Sequence, residues 1–221
     1  MGQEYLKETA LNNSLKTRFT KLFEDNFETN NNWIADGDGA DYEFARYSAP
    51  SLTAGYTSRL KTRTTDAASG DTAKAYIYVP PPISDELILT LDATIENTYY
   101  PAIMRFTLET HFSVYNIRAS AEFTRATKLW KLYDEDGNYS TFNSELQDFK
   151  DNAYFRLSLG INLQTQKYTT FIVNDKKHSV EDVLFKKDIS GSQDFCKIEI
   201  EIETASAQLD RISLDKVLLF S

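Results

Sequence analysis

The 221-residue sequence has one cysteine, two histidines, five prolines and eight glycines, and it contains no long apolar run. With Cys196 alone, no disulfide can form within the chain. No stretch approaches the length of a membrane-spanning helix, and the first residues lack the apolar core of a signal peptide. We therefore expect no membrane insertion and, if the chain is complete, a cytoplasmic location. Nucleophile elbows, phosphate-binding loops and paired zinc ligands are also absent, which argues against the enzyme classes built on them.

The charge and aromatic content indicate a globular strand-rich protein. The net charge of −9 is spread along the chain, which argues against nucleic acid as a partner. The 13 tyrosines and 14 phenylalanines favour strands over helical bundles. Since β-sandwiches commonly reach roughly 200 to 250 residues as one domain, we predict a single sandwich domain over residues 21–221. Residues 1–20 are polar and loosely periodic, which predicts an arm or a short helix.

The clearest structural signal is a hairpin pattern over residues 154–183. Apolar and polar residues alternate from Phe155 to Leu163, which is the period of a strand with one buried face. A turn over residues 164–167 and a β-branched run to Val173 follow. Asn174-Asp175 then predicts a second tight turn, because both residues tolerate positive φ. Two strands are not stable alone, so more strands and a second layer are required.

Further strands complete the prediction of an all-β fold. Alternation is clear over residues 86–95 and over residues 197–204, KIEIEIET. In the last strand the apolar phase shifts between Leu214 and Val217, and a bulge at Asp215-Lys216 would reconcile the two halves. Residues 144–149 have the composition for one helical turn. With about ten to twelve strands and regular turn signals, the sequence predicts an antiparallel two-sheet β-sandwich.

Three glutamates offer a candidate catalytic set. Glu199, Glu201 and Glu203 alternate along one strand, and residues two apart on a strand face lie about 6.5 Å from each other. Glycoside hydrolysis needs two carboxyl groups at roughly 5 to 10 Å. The alternative is a solvated strand face opposite three isoleucines. Glu109 with His111 is a second candidate pair for the same chemistry.

An acidic loop offers a candidate calcium site. Asp36, Asp38 and Asp41 supply the oxygen ligands that Ca²⁺ prefers. Their spacing imitates only the start of an EF-hand loop, since Tyr47 stands where the bidentate glutamate would be. A plain Asp-Gly turn is the alternative interpretation.

Binding of a sugar requires aromatic rings presented flat on a surface, with groups nearby that bond hydroxyls. Seven aromatic residues fit this description, although aromatics in strands are more often part of the core: Tyr76, Tyr78, Tyr99, Tyr100, Tyr115, Trp130 and Tyr133. Tyr99 and Tyr100 precede Pro101, and we expect them to be exposed. We predict that Tyr99, Tyr100, Trp130 and Tyr133 bind the ligand together with Arg156.

Three segments carry a family resemblance. The opener LFEDNFE (residues 22–28) followed by Trp33, the run YTTFIVND (168–175) and the closing LDKVLL (214–219) resemble the concanavalin A-like lectin and glucanase jelly rolls. The segments KLWKLY (128–133) and FCKI (195–198) are similar to an uncharacterised bacterial family known only as a domain of unknown function. The resemblance implies a jelly roll in which the opener pairs with the terminal Asp-x-Val strand. It brings no established catalytic residues, because the glucanases have Asp where this chain has Glu201.

These observations lead to one functional expectation and two alternatives. We expect non-catalytic recognition of a carbohydrate or a glycosylated surface, which rests largely on the resemblance in fold. A jelly-roll glycoside hydrolase or polysaccharide lyase is the first alternative. A structural or assembly protein, a homo-oligomer whose edge strands and N-terminal arm pack against another copy, is the second.

Overall fold

The computed structural model describes residues 19–27, 32–38, 42–47, 57–62, 69–95, 100–112, 114–149, 153–180, 182–189, 194–204 and 210–221. The predicted N-terminal arm lies almost wholly outside these residues. Within them the chain forms strands and no helix, so the helical turn expected over residues 144–149 is wrong. It follows that the described residues include no helix of the length and apolarity needed to cross a membrane.

Sixteen strands are described. In chain order they are β1 (Lys21–Asp25), β2 (Ile34–Asp38), β3 (Tyr42–Tyr47), β4 (Thr57–Thr62), β5 (Thr72–Val79), β6 (Glu86–Ile95), β7 (Ile103–Phe112), β8 (Tyr115–Thr124), β9 (Leu129–Tyr133), β10 (Tyr139–Thr141), β11 (Ala153–Asn162), β12 (Lys167–Val173), β13 (Lys176–His178), β14 (Lys186–Ile189), β15 (Phe195–Glu203) and β16 (Arg211–Phe220).

These strands form two antiparallel sheets, as the sequence predicted, but with eight strands each they exceed the expected ten to twelve strands in all. Sheet I has the order β13-β12-β11-β6-β16-β4-β3, and β1 pairs with the second half of β16. Sheet II has the order β10-β9-β8-β7-β15-β5-β2, and β14 pairs with the first half of β8. The last two strands, β15 and β16, therefore lie in the interior of their respective sheets.

The core lies between the two sheets and is rich in aromatic rings. Leu89, Leu157 and Ile200 belong to alternating sets that are fully buried, as the period-2 patterns predicted. The Trp130 indole is surrounded by five rings with centroid distances of 5.2 to 6.4 Å: Phe106, Phe123, Phe149, Phe155 and Phe171. Each such large apolar side chain contributes about 1.5 to 3 kcal/mol when it is fully buried.

The predicted hairpin is confirmed. β11 and β12 pair from Leu157 opposite Val173 to Asn162 opposite Lys167. Asn174 and Asp175 have φ values of +49° and +67°, and β13 follows them at once. A two-residue hairpin turn of type I′ needs positive φ at both positions, which Asn and Asp tolerate better than most residues.

The predicted bulge in the last strand is also confirmed. The pairing of β16 with β6 shifts between Leu214 and Lys216, so Asp215 is the extra residue. Ile212, Leu214, Val217 and Leu219 are all buried as a result, although their spacing is not uniformly even. The bulge keeps both halves of the strand facing the core.

The opening and closing segments pair as the resemblance implied. Asp25 of β1 lies opposite Val217 of β16. The buried Asp25 carboxylate accepts hydrogen bonds from the backbone N–H of Phe27 at 2.7 Å and from the Trp33 indole N–H at 2.8 Å. These bonds fix the turn after β1, where Phe27 has a φ of +57°.

Candidate functional site

The outer face of sheet II, meaning the face that points away from the core, is strongly charged. Successive residues of a strand point to opposite faces, so the isoleucines of KIEIEIET are buried and its other side chains point outward. Those outward residues are Lys197, Glu199, Glu201 and Glu203. Because β15 lies between β5 and β7, they occupy the middle of the sheet.

A first charged row crosses six strands of this face with alternating sign. The register places its members opposite one another in the order Asp36, Lys74, Glu201, Arg105, Glu122 and Lys131. Lys74 Nζ lies 3.1 Å from the Glu201 carboxylate, and Lys131 Nζ lies 3.0 Å from that of Glu122. Opposite charges at facing positions stabilise a sheet.

Arg105 is the centre of the first charged row. Its Nε–H donates to Glu122 at 2.8 Å, and its Nη groups donate to Glu201 and, at 3.0 Å, to Glu203. Burial acts to lower the pKa of Arg105, but the bonds to Glu201 and Glu122 outweigh it and the pKa is raised. The guanidinium of Arg105 is thus occupied by the protein's own carboxylates.

A second charged row lies four residues away along the strands. Its members face one another in the order Tyr78, Lys197, Glu109, Arg118 and Lys186. Lys197 Nζ lies 2.8 Å from the Glu109 carboxylate. Burial acts to raise the pKa of Glu109, but the Lys197 ammonium and a second hydrogen bond outweigh it, so the pKa is lowered. Glu109 is therefore ionised at neutral pH.

Small residues lie between the two charged rows, and Tyr139 covers part of them. Thr107 Oγ1 and Ser120 Oγ are 2.8 Å apart, and the Tyr139 hydroxyl donates to Ser120 Oγ at 3.0 Å. The Arg105 guanidinium lies 5.5 Å from the centroid of the Tyr139 ring. Thr107 and Ser120 are buried, so this part of the face is covered.

Aromatic rings form a rim beside the second charged row. Tyr76, Tyr78 and Phe195 make successive edge-to-face contacts at 5.9 and 6.0 Å, and His111 stacks on Phe195 at 6.2 Å. Tyr78 is 59% exposed. Lys197 Nζ lies 5.7 Å from the centroid of the Tyr76 ring. An exposed ring thus stands beside fixed charged groups.

Two of the predicted ligand residues lie inside the protein. Tyr100 is only 8% exposed and stacks on Phe123, with the Arg125 guanidinium 4.7 Å from its ring centroid, so its expected exposure is wrong. Trp130 is 2% exposed and has no ring face open to a surface ligand. Tyr99 lies outside the described residues, and its role stays a prediction.

The other two predicted ligand residues lie on opposite faces of the sandwich. Tyr133 lies on the outer face of sheet II, 5.3 Å below the Arg118 guanidinium. Arg156 lies on the outer face of sheet I, where it donates to both oxygens of Asp92 at 2.6 and 2.7 Å. The structure therefore does not bring the four described ligand residues into one site, and of these four Tyr133 is the one on the charged face.

The predicted calcium ligands are described only in part. Asp36 is exposed within β2 and not in a turn, and its carboxylate accepts the backbone N–H of Gly37 at 2.8 Å. Asp41 and the side chain of Asp38 lie outside the described residues. Among the residues that are described, no group of three or more His, Cys, Asp or Glu is placed to hold a metal ion. The calcium site stays a prediction.

The candidate catalytic glutamates share one face, but cations surround them. Glu199 Oε2 lies 3.1 Å from Lys197 Nζ, and Glu201 and Glu203 both bond Arg105. Hydrolysis of a glycoside needs one carboxyl held protonated by its surroundings. The second candidate pair is no better placed, because His111 is 1% exposed beneath Phe195. Each of the four candidate carboxylates, Glu109 included, thus lies beside a cation of the protein itself.

Sequence reasoning missed the cations that organise this face. Arg105, Arg118 and Lys197 occupy the outward phase of their strands, which was the only local signal available. Apart from Glu199, which is two residues from Lys197, their partners lie 9 to 98 residues away along the chain, so the pairing depends on strand order.

Comparison with known proteins identifies the fold. No family model matches the chain, and no curated protein matches its sequence. The conserved carbohydrate esterase of Shiga toxin-encoding bacteriophage phi24B is 11% identical with a TM-score of 0.57, over 91% of this chain and 98% of that one. The potassium-bound carbohydrate recognition domain of Emp46p is 14% identical with a TM-score of 0.55, over 90% and 95%. A Lotus tetragonolobus seed lectin is 10% identical with a TM-score of 0.57, over 90% and 97%. The chain therefore has the two-sheet jelly-roll fold that its sequence predicted, and the closer bacterial resemblance stays a prediction.

Proposed function

We propose that this chain is a non-catalytic carbohydrate-binding β-sandwich whose ligand lies on the outer face of sheet II. One observation carries the proposal: the exposed ring of Tyr78 stands directly beside the ion-paired side chains of the second charged row. A sugar offers an apolar ring face and a rim of hydroxyls. An aromatic platform with adjacent fixed donors and acceptors matches both features.

The charged groups suit recognition because they are already held in place. Lys197 is fixed between Glu109 and Glu199, and Tyr76 lies against both Tyr78 and Lys197. Side chains that are ordered before binding lose little conformational entropy when a ligand arrives. The similar solved structures support this proposal, since two of the three named above are described as a lectin and a carbohydrate recognition domain.

A glycan-array screen with and without calcium tests the proposal. We expect the protein to bind one class of glycan, and we expect Tyr78→Ala to weaken that binding about tenfold or more, because a stacking platform is lost. Tyr154→Ala is the matched control, since Tyr154 is a partly exposed tyrosine on the other sheet. Loss of binding in a chelator would support the calcium site at Asp36, Asp38 and Asp41.

Two results would contradict the proposal. The first is absence of binding to every glycan both with and without calcium. The second is equal weakening by Tyr78→Ala and Tyr154→Ala, which would place the ligand elsewhere.

A further inference from the structure

Arg118 differs from Arg105 and Arg156 because its guanidinium has unused hydrogen-bond donors. Within the described residues it makes no hydrogen bond, its Nε is buried without a partner, and its Nη2 lies 3.9 Å from Glu199, beyond hydrogen-bond distance. Arg105 and Arg156 instead bond carboxylates directly. The Arg118 side chain is 39% exposed, compared with 19% for Arg105. Its guanidinium is therefore accessible to a ligand.

A second cation faces Arg118 across the sheet. Lys186 of β14 lies directly opposite Arg118 in the register. Like charges at facing positions destabilise a sheet. The one ion pair of Lys186 within the described part of the chain is to Asp188, at 3.5 Å, and that carboxylate is well exposed. Exposed ion pairs of this kind contribute little to the stability of a protein. A bound anion between the two cations would offset their repulsion.

The Tyr133 hydroxyl completes a group of three donors. The Arg118 guanidinium stacks over the Tyr133 ring at 5.3 Å, which holds both side chains in place. At Gly137, in the turn between β9 and β10, an added Cβ would lie 3.3 Å from both Tyr133 Oη and Lys186 Nζ. The Tyr133 hydroxyl and the Lys186 ammonium thus both lie beside this turn. The Tyr133 hydroxyl has no hydrogen bond to any described residue.

We propose that Arg118, Tyr133 and Lys186 form a subsite for an anionic substituent of the bound saccharide, a carboxylate or a sulfate. A guanidinium edge and an ammonium are the groups that bind such oxyanions best, and a phenol adds a third donor. This inference rests on the carbohydrate-binding function proposed above. It narrows the ligand to acidic saccharides.

Two neighbouring carboxylates are shared between Lys197 and Arg118. Glu109 lies opposite Arg118 in the register, and both Glu109 and Glu199 bond Lys197, at 2.8 and 3.1 Å. Lys197 offsets one of their two negative charges, and Arg118, whose Nη2 lies 3.9 Å from Glu199, offsets part of the other. Arg118, Lys186 and Lys197 thus carry three positive charges against these two negative ones, and Asp188 beside Lys186 is exposed to solvent.

The subsite and the aromatic rim lie on one line across the sheet. Tyr78 and Arg118 belong to the same row and are separated by three strand spacings, or roughly 14 Å at about 4.8 Å each. That span suits an oligosaccharide better than a single sugar. The sugar rings would lie across the strands, with the anionic group at the β8 end.

Titration calorimetry with a matched ligand pair tests the inference. A uronic-acid oligosaccharide is compared with the same oligosaccharide after reduction of its carboxyl groups, and a sulfated oligosaccharide is the third ligand. We expect at least tenfold tighter binding of one acidic form than of the neutral form. Arg118→Gln and Lys186→Gln should each weaken that form about ten- to a hundredfold and weaken the neutral form by less than about threefold. Lys128→Gln, which removes an exposed lysine in the turn after β8, is the control and should change neither.

The outcomes separate the inference from the function it rests on. If neutral and acidic forms bind equally, or if only neutral glycans bind, the anionic subsite is wrong and carbohydrate binding stands. If Arg118→Gln weakens both forms alike, the subsite is wrong as well. If no saccharide binds in the array or in the calorimeter, both proposals fail. The acidic form that binds more tightly identifies carboxylate or sulfate as the recognised group.

Discussion

The hydroxyl of Tyr168 fills a gap in sheet II. β8 pairs with β14 up to Arg118 and with β9 from Ala121 onward, so Ser120 lies where the partner changes. Tyr168 reaches across from sheet I, accepts the Ser120 backbone N–H at 3.0 Å and donates to the Tyr133 carbonyl at 2.8 Å. Burial raises the pKa of Tyr168, so the hydroxyl keeps the proton that it donates.

We expect Tyr168→Phe to lower the free energy of unfolding by about 1 to 3 kcal/mol, because a buried backbone N–H loses its acceptor. Urea denaturation followed by fluorescence measures this change. Tyr100→Phe is the matched control, since Tyr100 is a buried residue whose hydroxyl bonds no described residue, and it should cost less than about 0.5 kcal/mol. Equal costs for the two variants would show that the Ser120 bond is unimportant.

The burial or exposure of single side chains was the least predictable property. Trp130 and Tyr133 are three positions apart in one strand, yet one is in the core and the other is on the charged face. Alternation predicts that they differ but not which of them faces outward. The position of Tyr100 before Pro101 predicts an exposed side chain, but Phe123 and Arg125 cover its ring. Such neighbours come from distant strands, and local sequence does not reveal them.

Deletion of Asp215 tests whether the bulge in β16 is an independent feature of that strand. If Asp215 is the extra residue, its deletion leaves Leu214 and Val217 two positions apart, which is the normal spacing of core residues on a strand. We expect the variant to be less stable but to keep a cooperative urea transition and a β-type circular dichroism spectrum.

Deletion of Thr90 from β6 is the control. β6 pairs with both neighbours, β11 and β16, without a bulge of its own, so one deletion would turn the core residues on one side of it outward. We expect that variant to lose the cooperative transition. If both deletions are equally damaging, the bulge is not an independent feature of the strand.

Elements with local signals were predictable from the sequence. Asn174-Asp175 marked the turn before β13, and the phase shift between Leu214 and Val217 marked the bulge. The change of partner along β8 has no such signal. It arises because β14 and β9, distant in the chain, share one edge of the same strand.

Across the whole molecule, the first charged row links most of sheet II. Arg105→Met would leave the buried Glu122 and Glu201 carboxylates with one lysine each. We expect a loss of about 3 kcal/mol in the free energy of unfolding, because partners of a buried ion pair are left poorly compensated. Urea denaturation at neutral pH measures it.

Asp182→Asn is the control for this prediction. It removes an exposed ion pair with Lys167, and it should change the free energy of unfolding by less than about 0.5 kcal/mol. A similarly small effect of Arg105→Met would mean that the row contributes little to stability.

The sequence predicted the sandwich but not the order of its strands. The acidic residues of β15 were visible as a set, and their outward direction followed from the isoleucines between them. Arg105 and Lys74 could not be assigned to Glu201 without knowing that β7 and β5 flank β15. The candidate site depends on that order, which only the structure supplies.

The interior position of β15 and β16 limits how early the two sheets can fold during synthesis. The ribosome delivers the chain from its N-terminus, at about 5 to 20 residues per second. Until residues 195–220 emerge, β5 and β7 lack β15, the strand between them. In the same way, β4 and β6 lack β16. Without β15 and β16, the earlier strands can pair only as four separate partial sheets with open edges. Neither complete sheet can therefore form before β15 and β16 have been synthesised.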